Sequence, residues 1–379
     1  MVATEWRLGV VLLCGLLSWH ALAATLPEDR VDLMYHGYDG GGLDVDGPMV
    51  LVRKGFQEKV SVWGHYYADF ISSASIDVVT SASPYEERRT EYSVGVDYLY
   101  GKTLMGVSYF HSEEDDYSGR MVSVGLSQEF FGDLTTLGVG YAFGWDEVRA
   151  RDNDSFAEDI RRHNFRVELT QVVTPRLLLG ISYEGVSDQG YLNNPYRRVR
   201  YLDDSTSRGY SYEPELYPET RNSGAVAIRG RYYLPHRAAV GGEARYYQDS
   251  WGLRATDMEA SYTHTFGQNW ILEGRYRFYR QNSVDFHADL FPRAEYQNFR
   301  ARDKDLSQFR SHSFGIGGSY EFNWQAVPVV DRVRASLYID LIRFRYGDFG
   351  DLRRSAPVGE EPDYRFTARV VRAYLSFFL

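Results

Sequence analysis

Thiols are almost missing. Cys14 is the one cysteine in 379 residues, and it lies in the N-terminal apolar segment. The rest of the chain therefore has no disulfide, no cysteine-ligated metal and no thiol nucleophile. Long apolar runs are also scarce. Beyond the N-terminal segment no stretch reaches the ~20 apolar residues that a membrane helix needs, and mean hydropathy is −0.42. A helical membrane bundle is excluded. A β-barrel is not, because its apolar residues occupy only every second position. Positive charge is in deficit as well: 42 Lys and Arg stand against 52 Asp and Glu, a net charge of −10. That balance excludes the basic face that nucleic-acid binding requires.

What is plentiful is aromatic and small. There are 31 Tyr, 21 Phe and 35 Gly, a usage that suits many short strands with aromatic girdles. Residues 1–23 have the three parts of a secretory signal. Arg7 gives the positive start, residues 8–19 the apolar core, and Ala21-Leu22-Ala23 the small-x-small cleavage site. A lipid anchor on Cys14 is disfavoured, because Val11, Leu12 and Leu13 precede it and the required small residue is absent. The expectation is a signal peptide over 1–23 and a single domain over 24–379.

Along that domain, apolar side chains recur at every second position over ~10 residues, the period of a strand with one greasy face. One face of 60–70 carries Val60, Val62, Gly64, Tyr66, Ala68 and Phe70; the other carries Ser61, Trp63, His65, Tyr67 and Asp69. Tyr92, Val94, Val96, Tyr98 and Tyr100 repeat the pattern, as do Leu137, Val139, Tyr141, Phe143 and Trp145. Short connections alternate with long ones. Residues 57–59, 101–103, 131–133, 174–176, 235–237 and 267–269 read as tight turns; 72–88, 150–159, 188–220, 283–307 and 347–363 read as long polar loops. The pattern predicts an all-β, antiparallel transmembrane barrel, with short periplasmic turns and long extracellular loops. The count is about sixteen strands, or fourteen if the hairpin built from 30–38 and 48–56 is an extension. Val371, Ala373, Leu375, Phe377 and Leu379 end the chain in a strand that resembles the signal read by the outer-membrane assembly machinery.

The faces turned from lipid carry ordered charge. Arg229 and Arg231 share one face. Glu243 and Arg245 share the next, followed by Asp257 and Glu259, and then Glu273, Arg275 and Arg277. Neighbouring strands thus alternate in sign. Two readings stand: a constriction whose field selects a polar or charged solute, and an ion-pair lattice that stiffens a solvated wall. The second is favoured. Asp39, Asp44 and Asp46 on a glycine-rich stretch read as a hairpin rather than a calcium loop, lacking the bidentate Glu. Glu113-Glu114-Asp115-Asp116 reads as a solvated loop tip. Gly101-Lys102-Thr103 has the wrong glycine spacing for a phosphate loop. No histidine sits in a nucleophile motif, so neither an enzyme nor a metal or other cofactor is expected.

Several loop motifs carry a resemblance. They are Ala82-Ser83-Pro84-Tyr85-Glu86-Glu87, Gly190-Tyr191-Leu192 with Asn194-Pro195-Tyr196-Arg197, Asp249-Ser250-Trp251-Gly252, and Leu290-Phe291-Pro292-Arg293 with Ala301-Arg302-Asp303-Lys304. Together with Tyr38-Asp39-Gly40-Gly41-Gly42 they resemble a Gram-negative outer-membrane family catalogued as domain of unknown function 3570. The resemblance implies a barrel and names no substrate. If these motifs fold together, Tyr191, Pro195, Arg197, Trp251, Arg293, Arg302 and Asp303 gather at the long-loop rim. There they would form either a mouth or plug, or Arg–carboxylate ties that order the loops.

The first functional expectation is a channel or transport barrel for small polar or charged solutes. The second is a scaffold or sheath for a periplasmic partner in metal or electron handling. The third is surface recognition by the loops. Expected partners are outer-membrane lipid and lipopolysaccharide, the assembly machinery and a periplasmic protein.

Overall fold

The computed structural model describes residues 25–73, 85–151, 153–324 and 327–379. The expected signal peptide, and the Ala82-Ser83-Pro84 part of the loop motifs, lie outside the described residues. Strands in chain order are β1 (Arg30–Gly40), β2 (Leu43–Phe56), β3 (Val60–Ser73), β4 (Tyr85–Tyr100), β5 (Thr103–Glu113) and β6 (Tyr117–Phe130). Next come β7 (Thr135–Ala150), β8 (Asn153–Thr174), β9 (Leu177–Gly190), β10 (Arg198–Leu202), β11 (Tyr210–Pro214) and β12 (Thr220–Leu234). The last are β13 (Ala238–Asp249), β14 (Arg254–Phe266), β15 (Trp270–Gln281), β16 (Phe309–Phe322), β17 (Arg332–Gly350) and β18 (Asp363–Phe378).

Sixteen of these strands form one closed antiparallel barrel, with β12 pairing β9 and β1 pairing β18. The closing seam runs from Arg30 opposite Phe378 to Gly40 opposite Ala368. The first hairpin is thus part of the wall, and the fourteen-strand alternative falls away. Closure leaves no free edge, the condition under which a sheet can sit in lipid. β10 and β11 pair only with each other, inside the loop that joins β9 to β12.

Register fixes which side chains face out. Val62, Val94 and Val96 lie on one face of β3 and β4 and are exposed, while Asp69 and Glu91 on the other are buried. Exposed aromatics ring the outer surface near the short turns, including Phe56, Tyr98, Tyr100, Phe130, Phe266 and Trp270. The tight turns need left-handed backbone. Gln57 and Glu58 have φ of 52° and 55°, and His236 and Arg237 of 63° and 60°, the mirror-image geometry that matches strand twist in two-residue hairpins.

The long-loop rim differs from expectation in three places. Residues 150–159 have the polar composition of a loop, but β7 and β8 continue pairing through Ala150 opposite Asn153. β8 has 22 residues, about twice the span a tilted strand needs to cross a bilayer, so this hairpin stands out beyond the membrane as a ribbon. Glu114 and Asp116 are not a solvated tip. They are 3% and 6% exposed, and only Glu113 and Asp115 face outward to water. The connection between β13 and β14, residues 250–253, is also short.

Candidate functional site

Every charged residue expected on the lumen wall faces inward. Arg229, Glu243, Glu259 and Arg277 stand in one row across β12 to β15. Arg245 and Asp257 form the next row, and Arg275 lies opposite Ser261 and Gly315. Most of these charges are paired. Arg277 Nε donates to Asp257 Oδ2 at 2.6 Å. Arg229 reaches Glu168 at 3.1 Å and Glu243 at 3.5 Å, and Arg245 reaches Glu184 at 2.9 Å. Arg275 grips Asp340 with two bonds, 2.9 and 2.5 Å, and Arg372 donates to the same carboxylate at 2.9 Å.

The Arg275–Asp340 bond crosses an intervening strand, and Gly315 makes the crossing possible. A Cβ there would run into the Asp340 carboxylate and the Arg275 side chain. Arg231, Glu259 and Glu273 line the same wall with no ion-pair partner among the described residues. The wall is wet. Side chains of Arg229, Glu243, Arg245 and Arg277 are 37%, 40%, 40% and 42% exposed, so these pairs stiffen and charge a surface rather than build a dry core. Across the lumen, β1, β3 and β4 hold a second cluster. His36 Nε2 lies 2.8 Å from Asp69 and 2.9 Å from the Tyr67 hydroxyl, and Arg89 pairs with Asp69.

Above this wall the lumen is capped. Residues 191–219, 282–308 and 351–362 fold toward one another and over the inner faces of the strands. Tyr217, Trp251, Val284, Phe286, Ala301 and Leu306 form an apolar core that sits on Tyr247, Ala255 and Tyr279, inward-facing residues of β13 to β15. Leu192 joins that core to a second one on Tyr117, Val148 and Ile160. A third cluster of Phe344, Tyr346, Phe349 and Tyr364 fills the upper faces of β17 and β18. The upper lumen is therefore apolar and packed, while the wall beneath it is charged and half-exposed.

Buried ion pairs knit the cap. Arg200, fully buried, binds Glu361 with bonds of 2.6 and 3.1 Å and Asp289 at 3.2 Å. Arg302 binds the Asp289 carboxylate at 2.9 Å and lies over the Phe349 ring. Arg197 meets Asp303 at 2.5 Å. Glu215 accepts the Arg302 N–H at 2.7 Å and the Tyr217 hydroxyl. Burial, and then the nearby Asp303 carboxylate, push Glu215 up to about 7. Burial would also raise Glu361, but the Arg200 bonds hold it below the usual carboxylate range. Arg353 holds Asp351 low in the same way.

Of the residues expected at this rim, Arg197, Trp251, Arg302 and Asp303 meet in the cap. Trp251 is 3% exposed and donates to the Thr220 carbonyl at 2.8 Å. Tyr191 stands edge-on to Phe156, nearer the β7–β8 ribbon. Pro195 is half-buried in the adjoining turn. Arg293 does not join them; it is exposed and flanks Tyr296. Arg200, Glu215, Asp289 and Glu361 were missed, since loop residues carry no periodic signal. Asp340 was readable, as it alternates with the lipid-facing Ile339 and Leu341. Oxygens of Glu87, Glu114 and Asp116 lie within 4.8 Å of one another, and the Arg151 guanidinium, 2.8 Å from Glu87, supplies positive charge there.

A family model described as a protein of unknown function, DUF3570, matches residues 71–168 and 157–338, more than half of the chain. The chain belongs to this family. No curated protein sequence matches this DUF3570 member significantly. Among solved structures it is similar to a bacterial polysaccharide outer membrane secretin. They share 9% identity over 93% of this chain and 100% of the other, at a TM-score of 0.51. That likeness shows the fold. A Pseudomonas aeruginosa FadL homologue matches at 9% identity, over 94% of this chain and 91% of that one, with a TM-score of 0.43. Pseudomonas aeruginosa OccK2, solved with glucuronate, matches at 12% over 94% and 99%, with a TM-score of 0.40. At these scores the last two add nothing to the fold assignment. The DUF3570 chain is a closed sixteen-strand barrel that resembles Gram-negative outer-membrane proteins.

Proposed function

We propose that this barrel is a transport protein of the outer membrane. Small polar or charged solutes would pass along the Arg and acid wall of β12 to β18, and the loop cap would govern entry from the long-loop side. The reading needs no covalent chemistry. It places the short turns in the periplasm and treats residues 1–23 as a cleaved leader, 24–379 as one domain, and 371–379 as the strand recognised during assembly. The observation that carries it is the half-exposed wall of Arg and acidic side chains beneath the cap, where Glu243 and Glu259 stand opposite each other between Arg229 and Arg277. A lumen meant only to be filled would bury these side chains, whereas a path for ions must leave them hydrated. Liposome-swelling assays with charged and neutral solutes of graded size test it. Faster entry of small charged solutes is expected, and swelling no faster than in protein-free vesicles would end the proposal.

The packed cap favours a second reading, a scaffold or sheath that holds a periplasmic partner. A partner that co-purifies with a barrel showing no solute flux would support it.

A further inference from the structure

Outside the barrel, just beyond the apolar belt on the long-loop side, the register builds a row of like charge. Arg280 of β15 lies opposite Arg310 of β16, Arg310 opposite Arg345 of β17, and Arg345 opposite Arg365 of β18. Neighbouring strands lie ~4.8 Å apart, so four guanidiniums spread across ~14 Å of wall. One step toward the membrane, Arg343 stands between His312 and Thr367, and His312 Nδ1 lies 2.8 Å from the Tyr276 hydroxyl. One step further the surface is apolar over β15 to β17, where Tyr276, Phe314 and Leu341 lie side by side and exposed, with Arg369 of β18 at the edge of this patch.

Like charges set directly opposite each other destabilise a sheet, so four in a row oppose folding unless a counter-charge arrives. The protein does not supply one. Arg280, Arg310, Arg343, Arg345 and Arg365 are all exposed, and none has an ion-pair partner among the described residues. Some basic side chains elsewhere on the barrel are matched. Near the short turns Lys54 is 2.6 Å from Asp29, Lys102 pairs with Asp133, and Arg332 is 2.6 Å from Glu28.

We infer that this row is a docking site for the phosphate groups of a membrane glycolipid, the phosphorylated lipopolysaccharide of the leaflet facing the long loops. Arg presents a planar fork that binds phosphate oxygens in pairs. The site's depth, a strand step or two above the exposed Phe314 and Leu341, matches a lipid whose acyl chains lie along that belt and whose phosphates sit at its edge. A soluble anion would gain nothing from the greasy surface below. The inference rests on the outer-membrane reading, not on solute passage, so an absence of flux would leave it standing.

The test is lipopolysaccharide retained by the purified full-length barrel after detergent exchange, measured by native mass spectrometry. Wild type is compared with Arg280→Gln/Arg310→Gln/Arg345→Gln/Arg365→Gln, and with Lys54→Gln/Lys102→Gln at the opposite rim. Heat-dependent gel migration confirms that each is folded. Retention is expected to fall about tenfold or more in the Arg variant and to be unchanged in the Lys variant. If the fourfold variant is not recovered folded, Arg310→Gln/Arg345→Gln serves in its place. Dephosphorylated glycolipid should bind wild type as poorly as intact lipid binds the Arg variant. Equal retention by wild type and the Arg variant would overturn the inference. So would displacement of the lipid by millimolar inorganic phosphate, which would mark a site for free anion.

Discussion

Arg200→Met probes the cap at its most buried charge. Arg200 has no exposed surface, and its partner Glu361 has a side chain 7% exposed. Removing one member of a buried pair typically costs 3–5 kcal/mol, because the other charge is left without compensation. Here the low end applies. Glu361 keeps the Gly359 N–H at 2.9 Å, and Asp289 keeps Arg302. About 3 kcal/mol raises the population of detached cap roughly 100-fold, at 1.4 kcal/mol per factor of ten. The reporters are two backbone amides that tie one loop to another. Leu202 N–H donates to the Phe291 carbonyl at 2.9 Å, and Phe291 N–H to the Arg200 carbonyl at 2.8 Å. Hydrogen exchange at these amides should speed up about 100-fold, while barrel amides such as those of β14 keep their rates. Arg200→Met/Glu361→Leu should recover most of the loss, since a buried pair exchanged whole for apolar groups is often neutral. Wild-type exchange in the single variant, or a double variant worse than the single, would refute the reasoning.

Three further outcomes follow from the same geometry. Glu215 holds its proton more tightly in the closed cap, up to about 7 against an ordinary 4.5. The closed cap therefore loses stability as pH rises from about 4.5 through 7. Glu361 and Asp351 are held low, so their contribution is lost as pH falls through their depressed values. Proteolysis of the cap should be slowest between these limbs, and Glu215→Gln should flatten only the upper one; an unchanged upper limb would rule Glu215 out as its cause. Gly315→Ala should break the Arg275–Asp340 bridge at a cost of roughly 1–3 kcal/mol for overpacking, read as a lower melting temperature. No shift would mean that the bridge adapts. Charge reversal at Arg275 and Arg277 should move the cation-to-anion permeability ratio toward cations, and an unmoved ratio would retire these residues as selectivity determinants.

The barrel was legible because lipid imposes it. Every strand must turn a greasy face outward at period two, and runs such as Tyr92 to Tyr100 and Leu137 to Trp145 carry that constraint openly. The inward charges were legible for the same reason in reverse. What stayed hidden depends on pairing across distance. Arg280, Arg310, Arg345 and Arg365 are unremarkable until register sets them side by side. Arg200 and Glu361 are 161 residues apart and lie in loops without period. Residues 150–159 looked like a loop because they are polar, yet a hairpin projecting into water has no greasy face to display. Glu114 and Asp116 looked solvated for the same reason, until the β4 face and Arg151 closed over them.

Ion current through single purified barrels in planar bilayers tests the central claim most directly. The account predicts discrete steps, brief in wild type and longer-lived in Arg200→Met, whose cap detaches more often. Membranes that stay silent with both proteins, each confirmed as folded and inserted, would contradict it.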